Sequence, residues 1–183
     1  MKKRIRKAAI IISLITAAII AAVFFNRIAA GFVISNIILP DYSHPNDKTV
    51  SDEDSGIVIT EKGRRLKVAK DGKVIWELPR EVYAQDFLYE DIDHDQQKEL
   101  LVLCWKRGRF GEHKPTWVKE DEESFSQHIF IYETDGKVVP KWMASDIGMD
   151  AKSWEFDDGV LSITDTDGEV TQWVWIYWGL EKI

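Results

Sequence analysis

The sequence predicts an all-β domain of antiparallel meanders, preceded by a single N-terminal transmembrane α-helix. Three observations carry this expectation. An 18-residue stretch without charge, proline or glycine (residues 8–25) follows a strongly basic start. After Pro40, short runs rich in β-branched and aromatic residues alternate with Gly or Asp-Gly turns. No stretch there sustains a 3.6-residue apolar period, and residues 80–87 are the one place where a helical turn is expected.

Residues 1–7 (MKKRIRK) carry five positive charges and form the cytoplasmic segment, since the positive-inside rule keeps a basic flank in the cytoplasm. Residues 8–25 would make about 27 Å of helix at 1.5 Å per residue, close to the hydrocarbon thickness of a bilayer. A cleaved secretory signal shares this pattern, but its apolar region is usually shorter. The Ala29-Ala30 pair is followed by more apolar sequence (GFVISNIILP), which favours an anchor that stays attached. The helix is expected to continue as a juxtamembrane extension to residue 39, with Arg27 snorkelling to headgroups and Pro40 ending it. The chain is thus read as a single-pass protein of the cell membrane, with its C-terminal domain extracytoplasmic.

Six of the 24 Lys and Arg residues precede Asp41, where there is no Asp or Glu. The exported part therefore carries 18 positive against 31 negative side chains, a net of −13. Such a field disfavours nucleic acid. The remaining 143 residues suffice for one domain with a core. The single cysteine, Cys104, excludes an internal disulfide and sits in the apolar run LVLCW, as a buried strand residue would.

Residues 40–55 are polar and rich in turn formers, and read as a stalk. The β-domain then occupies 56–183. Its first strands are expected at 57–60, 66–69 and 74–78, split by Lys62-Gly63 and Asp71-Gly72 hairpin signals. VYAQDFLYEDI, ELLVLCW, HIFIYE, KVVPKWM, VLSITD and VTQWVWIYW follow, with turns at Asp135-Gly136, Asp158-Gly159 and Asp167-Gly168.

The segment with chemistry is DIDHDQQKEL. Asp91, Asp93 and Asp95 alternate, and Glu99 follows directly before an apolar strand. Alternating aspartates on a tight loop can aim their oxygens at one point. A backbone carbonyl near Gln97 and the Glu99 carboxylate could complete an oxygen cage for Ca²⁺, a hard cation that takes six to eight such ligands. The segment resembles the D-x-D-x-D-G-x-x-E-L signature of FG-GAP and VCBS-type repeats, the blade units of calcium-binding β-propellers. That resemblance implies Asp91, Asp93, Asp95 and Glu99 as metal ligands and ELLVLCW as a core strand of a blade. One position departs from it: Gln96 stands where the family has the glycine that permits the sharp turn. HIFIY and GKVVPKWMASDIG also resemble the later part of uncharacterised bacterial VCBS-repeat proteins, so the likeness covers about residues 76–179. TDTDGE has the start of a second loop without its final acid, and reads as a hairpin turn.

At roughly 40–50 residues per blade the exported part holds about three, whereas closed propellers use four to eight. An open stack of propeller-blade-like meanders, a small sandwich and half of a closed oligomer all fit that length.

The segment 105–119 (WKRGRFGEHKPTWVK) is a basic island in an acidic domain. Lys106, Arg107, Arg109, Lys114 and Trp117 are candidate contacts for an anionic envelope polymer, headgroups or a protein partner. Alternatively, these charges pair with the acids at 120–123. In VTQWVWIYW, Trp173, Trp175 and Tyr177 share one strand face and Val174, Ile176 and Trp178 the other. An exposed aromatic row could stack on sugars, but a small β-domain needs such residues for its core, so burial of both faces is expected. The four histidines are scattered and no nucleophile or zinc motif occurs. The function expected is therefore a membrane-tethered, non-catalytic binding or scaffold domain. The alternatives are an envelope enzyme or sugar-binding module acting on polysaccharide, and an accessory subunit completed by another chain.

Overall fold

Tight turns set the path of the chain. At Asp71-Gly72 (φ 49° and 76°) and Asp158-Gly159 (φ 46° and 81°) two consecutive residues are left-handed, the conformation that closes a two-residue hairpin in register with strand twist. A computed structural model of the chain describes residues 39–110 and 114–183. The chain divides into two units, Met1–Pro40 and Asp41–Ile183, and the sheets belong to the second. The basic segment at 1–7 and the helix expected at 8–39, but for its last residue, lie outside the described residues. Among the described residues no helix is long and apolar enough to cross a membrane.

The all-β expectation holds as three antiparallel four-stranded sheets, each following chain order. The first comprises β1 (Thr49–Asp52), β2 (Ile57–Lys62), β3 (Arg65–Lys70) and β4 (Lys73–Glu77). The second comprises β5 (Tyr83–Glu90), β6 (Glu99–Arg107), β7 (Phe125–Glu133) and β8 (Val139–Met143). The third comprises β9 (Ala151–Asp157), β10 (Val160–Asp165), β11 (Val170–Ile176) and β12 (Gly179–Lys182).

The second sheet lies between the other two and is sealed on both faces. Leu100, Val102 and Cys104 of β6 pack with Ile57, Ile59, Leu66 and Val68 of the first sheet. Leu101 and Leu103 point the other way, against Trp154, Leu161 and Ile163 of the third. A strand buried on both faces has no solvent side, which is why LLVLCW is a continuous apolar run. The outward faces of the stack are more polar. In β10, half-buried Val160, Ser162 and Thr164 alternate with buried Leu161 and Ile163. On the first sheet Lys67 pairs with Glu77 across β3 and β4 at 2.8 Å.

Several elements differ from the sequence expectation. The segment read as a stalk holds a 3-10 turn, Asp41–Ser43, and the edge strand β1. It is strapped to the sheets: Arg64 Nη2 donates to Ser43 Oγ (3.2 Å), Gly63 N–H to Asp47 (2.6 Å), and Lys48 pairs with Asp86 (2.6 Å). Residues 80–87 form no helix, since β5 pairs with β6 from Tyr83 onward. β9 carries little strand signal, because its exposed positions, including Lys152, Ser153, Glu155 and Asp157, leave Ala151 and Trp154 as its only buried residues. VTQWVWIYW is not one strand. It breaks at Tyr177 and Trp178, which are 100% and 75% exposed, against the expected burial, while Trp173 and Trp175 do pack against the core.

Candidate metal centre

The loop between β5 and β6 is fixed from beneath by Ile92, whose side chain is fully buried in the core between the second and third sheets. Two neighbours in left-handed conformation, His94 (φ 63°) and Gln96 (φ 73°), fold the loop back. Gln96 therefore adopts the backbone that the glycine of the resembled signature supplies without strain. Gly159 allows the β9–β10 hairpin to approach this loop, because a Cβ there would fall 2.7 Å from His94 Nε2.

Asp91 caps the turn, accepting from Asp95 N–H (3.1 Å) and Gln96 N–H (2.9 Å). Asp95 is exposed and accepts from Gln97 N–H at 2.8 Å. Glu99, only 2% exposed at the start of β6, accepts from Ile92 N–H at 3.1 Å. Asp91, Asp93 and Glu99 each present an oxygen within 4.8 Å of the others, and could hold a metal ion. Asp95 stays outside this group. One oxygen of Asp93, Oδ1, is buried without a hydrogen-bond partner among the described residues.

A residue that sequence reasoning missed reaches the same place. Lys141, from β8, donates to Asp93 Oδ2 at 2.6 Å and to Glu99 Oε1 at 2.8 Å. Its ammonium also lies 5.7 Å from the Trp175 ring centroid. Burial alone would lower the lysine pKa, but the bonds to Asp93 and Glu99 outweigh it and hold the ammonium more firmly than usual. Burial pushes the Glu99 carboxyl up, while Lys141 and Ile92 N–H partly offset this. Of the four acids expected, the structure brings together Asp91, Asp93 and Glu99. Three acids converge, and an ammonium already occupies the side that Asp93 and Glu99 share. Lys141 lies 42 residues beyond Glu99, so no local spacing could have signalled it.

A second charged cluster lies where the strap meets β2 and β5. Glu61 is the third inward position of β2 after Ile57 and Ile59, is 1% exposed, and has neither oxygen hydrogen-bonded among the described residues. Lys48, Asp47, Arg64 and Asp86 surround it, and burial, reinforced by the Asp86 charge, pushes its carboxyl up to about 7. The strand was expected to end at Thr60, but β2 runs on to Lys62 and its alternation carries Glu61 inward.

The basic segment is largely tied up internally. Arg109 pairs with Asp146 (3.0 Å) and Glu122 (3.8 Å), and Lys114 donates to the Lys119 carbonyl. Arg107 donates to the Glu123 carbonyl at 3.3 Å and stacks over Phe125. Lys106 and Arg107 line a shallow cleft of about 130 Å³ with Tyr83 and Phe125, while Trp117 is 82% exposed.

No protein-family model, no curated protein and no solved structure matches the chain.

Proposed function

We propose that this chain is a membrane-tethered, extracytoplasmic scaffold or binding domain without catalysis, built from three open, blade-like units akin to FG-GAP and VCBS-type repeats. The observation that carries the reading is the repeated four-stranded meander, whose middle copy is sealed on both faces and opens its central strand with the acidic loop. That loop acts as a structural cation centre. Ca²⁺ is the external ion its hard oxygen ligands would favour. The non-catalytic reading is supported by what the acids do: Asp91 caps backbone amides, and Glu99 is engaged by Ile92 and Lys141. A partner, whether an anionic envelope polymer or a protein, would meet the β6–β7 segment at exposed Trp117, since Arg107, Arg109 and Lys114 are engaged within the domain.

The tether and its direction are tested with a membrane-impermeant maleimide on intact cells. The chain carries Cys104→Ala and Lys137→Cys, the latter in an exposed turn after β7. Labelling without lysis is expected. Labelling only after lysis would place the domain in the cytoplasm and overturn the proposal. Recovery of the protein in the soluble fraction would remove the anchor.

A further inference from the structure

We infer that Lys141 is the resident cation of the DIDHDQQKEL loop, so that the chain holds this turn without a metal and a divalent ion can enter only once the ammonium is gone. The inference rests on reading the loop as a cation centre and names its occupant. It is drawn from three features together. The ammonium sits at hydrogen-bond distance from both acids that close the centre, at 2.6 and 2.8 Å. The residue is held there from across the sheet, with its side chain only 13% exposed and its charge facing the Trp175 ring. Asp95, which the resembled motif would turn inward, instead faces solvent and is satisfied by Gln97 N–H.

Charge explains why the arrangement is self-consistent. Three carboxylates drawn within 4.8 Å repel one another, and a buried acid without a counter-charge is strongly disfavoured. A bound Ca²⁺ would relieve that with two charges and would need six to eight oxygens. A lysine relieves part of it with one charge and three donors, and needs no oxygen cage. Caps from Asp95, Gln96 and Ile92 N–H groups offset much of the remainder. Asp93 Oδ1, which has no hydrogen-bond partner among the described residues, is an acceptor that this solution leaves over and that an incoming ion would use.

The test uses the full-length chain in nanodiscs. Thermal unfolding is followed in EDTA and in millimolar Ca²⁺ for wild type, Lys141→Met and Lys141→Arg. Terbium is added as a luminescent stand-in for Ca²⁺, with Trp175 as its sensitiser. Wild type and Lys141→Arg are expected to show the same Tm in both conditions and no sensitised terbium emission. Lys141→Met is expected to lose stability in EDTA and to regain about 5 °C or more with Ca²⁺, with terbium emission that Ca²⁺ competes away. Saturable Ca²⁺ stabilisation of wild type would overturn the inference while leaving the cation-centre reading intact. Absence of ion binding by a folded Lys141→Met would overturn both. If Lys141→Met does not fold even with Ca²⁺, the inference fails, because the ion would then be unable to replace the ammonium.

Discussion

Glu61 should make this domain less stable as pH rises through neutrality. Burial raises its carboxyl most, with Asp86 and then Asp47 adding to the effect, while Lys48 and Arg64 pull the other way. The net result is a shift from an ordinary 4.5 to about 7. Between those values the folded chain holds a proton that the unfolded chain has released, so stability falls as pH increases. Below the lower value both states are protonated and the contribution is fully present. Above the upper value both are ionised and it is lost. At 1.36 kcal/mol per pKa unit, the loss between pH 5 and 8 is about 2.5 kcal/mol. For a domain of this size that is a fall in Tm of about 5–10 °C. The perturbation is Glu61→Gln, which keeps the shape and cannot ionise. The assay is thermal unfolding of the full-length protein, followed by tryptophan fluorescence across that pH range. The difference in Tm between variant and wild type should grow with pH by that amount. A difference that stays constant from pH 5 to 8 would refute the reasoning, because Glu61 would then be ionised in both states throughout.

Two further predictions come from the backbone and the buried amides. Gln96 holds a left-handed φ of 73°, which costs a non-glycine residue about 1 kcal/mol, so Gln96→Gly should raise Tm by about 3 °C; an unchanged or lower Tm would show that the Gln96 side chain contributes more than its strain. Gln127 donates to Gln85 Oε1 (2.8 Å) and Ala151 O (2.7 Å) and accepts from Ala151 N–H (2.6 Å), linking the second and third sheets. Gln127→Leu would orphan that buried N–H, at a cost of about 2–4 kcal/mol read in denaturant unfolding, and a loss under about 1 kcal/mol would mean water replaces the bridge.

What this sequence determined by itself was local. Period-2 alternation and Asp-Gly pairs fixed most strands and hairpins, because side-chain direction and turn conformation depend on residues a few positions apart. The unbroken run LLVLCW announced a buried strand, whereas the first strand was expected to end at Thr60, so the inward-facing Glu61 was not anticipated. The loop chemistry was legible too, since Asp91, Asp93 and Glu99 belong to one hairpin. Elements with weak local signals were not legible: β1 and β9 form because neighbouring strands and sheets supply their partners. The occupant of the acidic centre was also decided only in three dimensions. Lys141 reaches Glu99 through sheet order, β8 beside β7 beside β6, and through the register shift that leaves it between the Pro140 and Trp142 pairings, which sets residues far apart in sequence against one charge cluster. Spacing can gather ligands on a turn, but only the packed sheet determines which cation meets them.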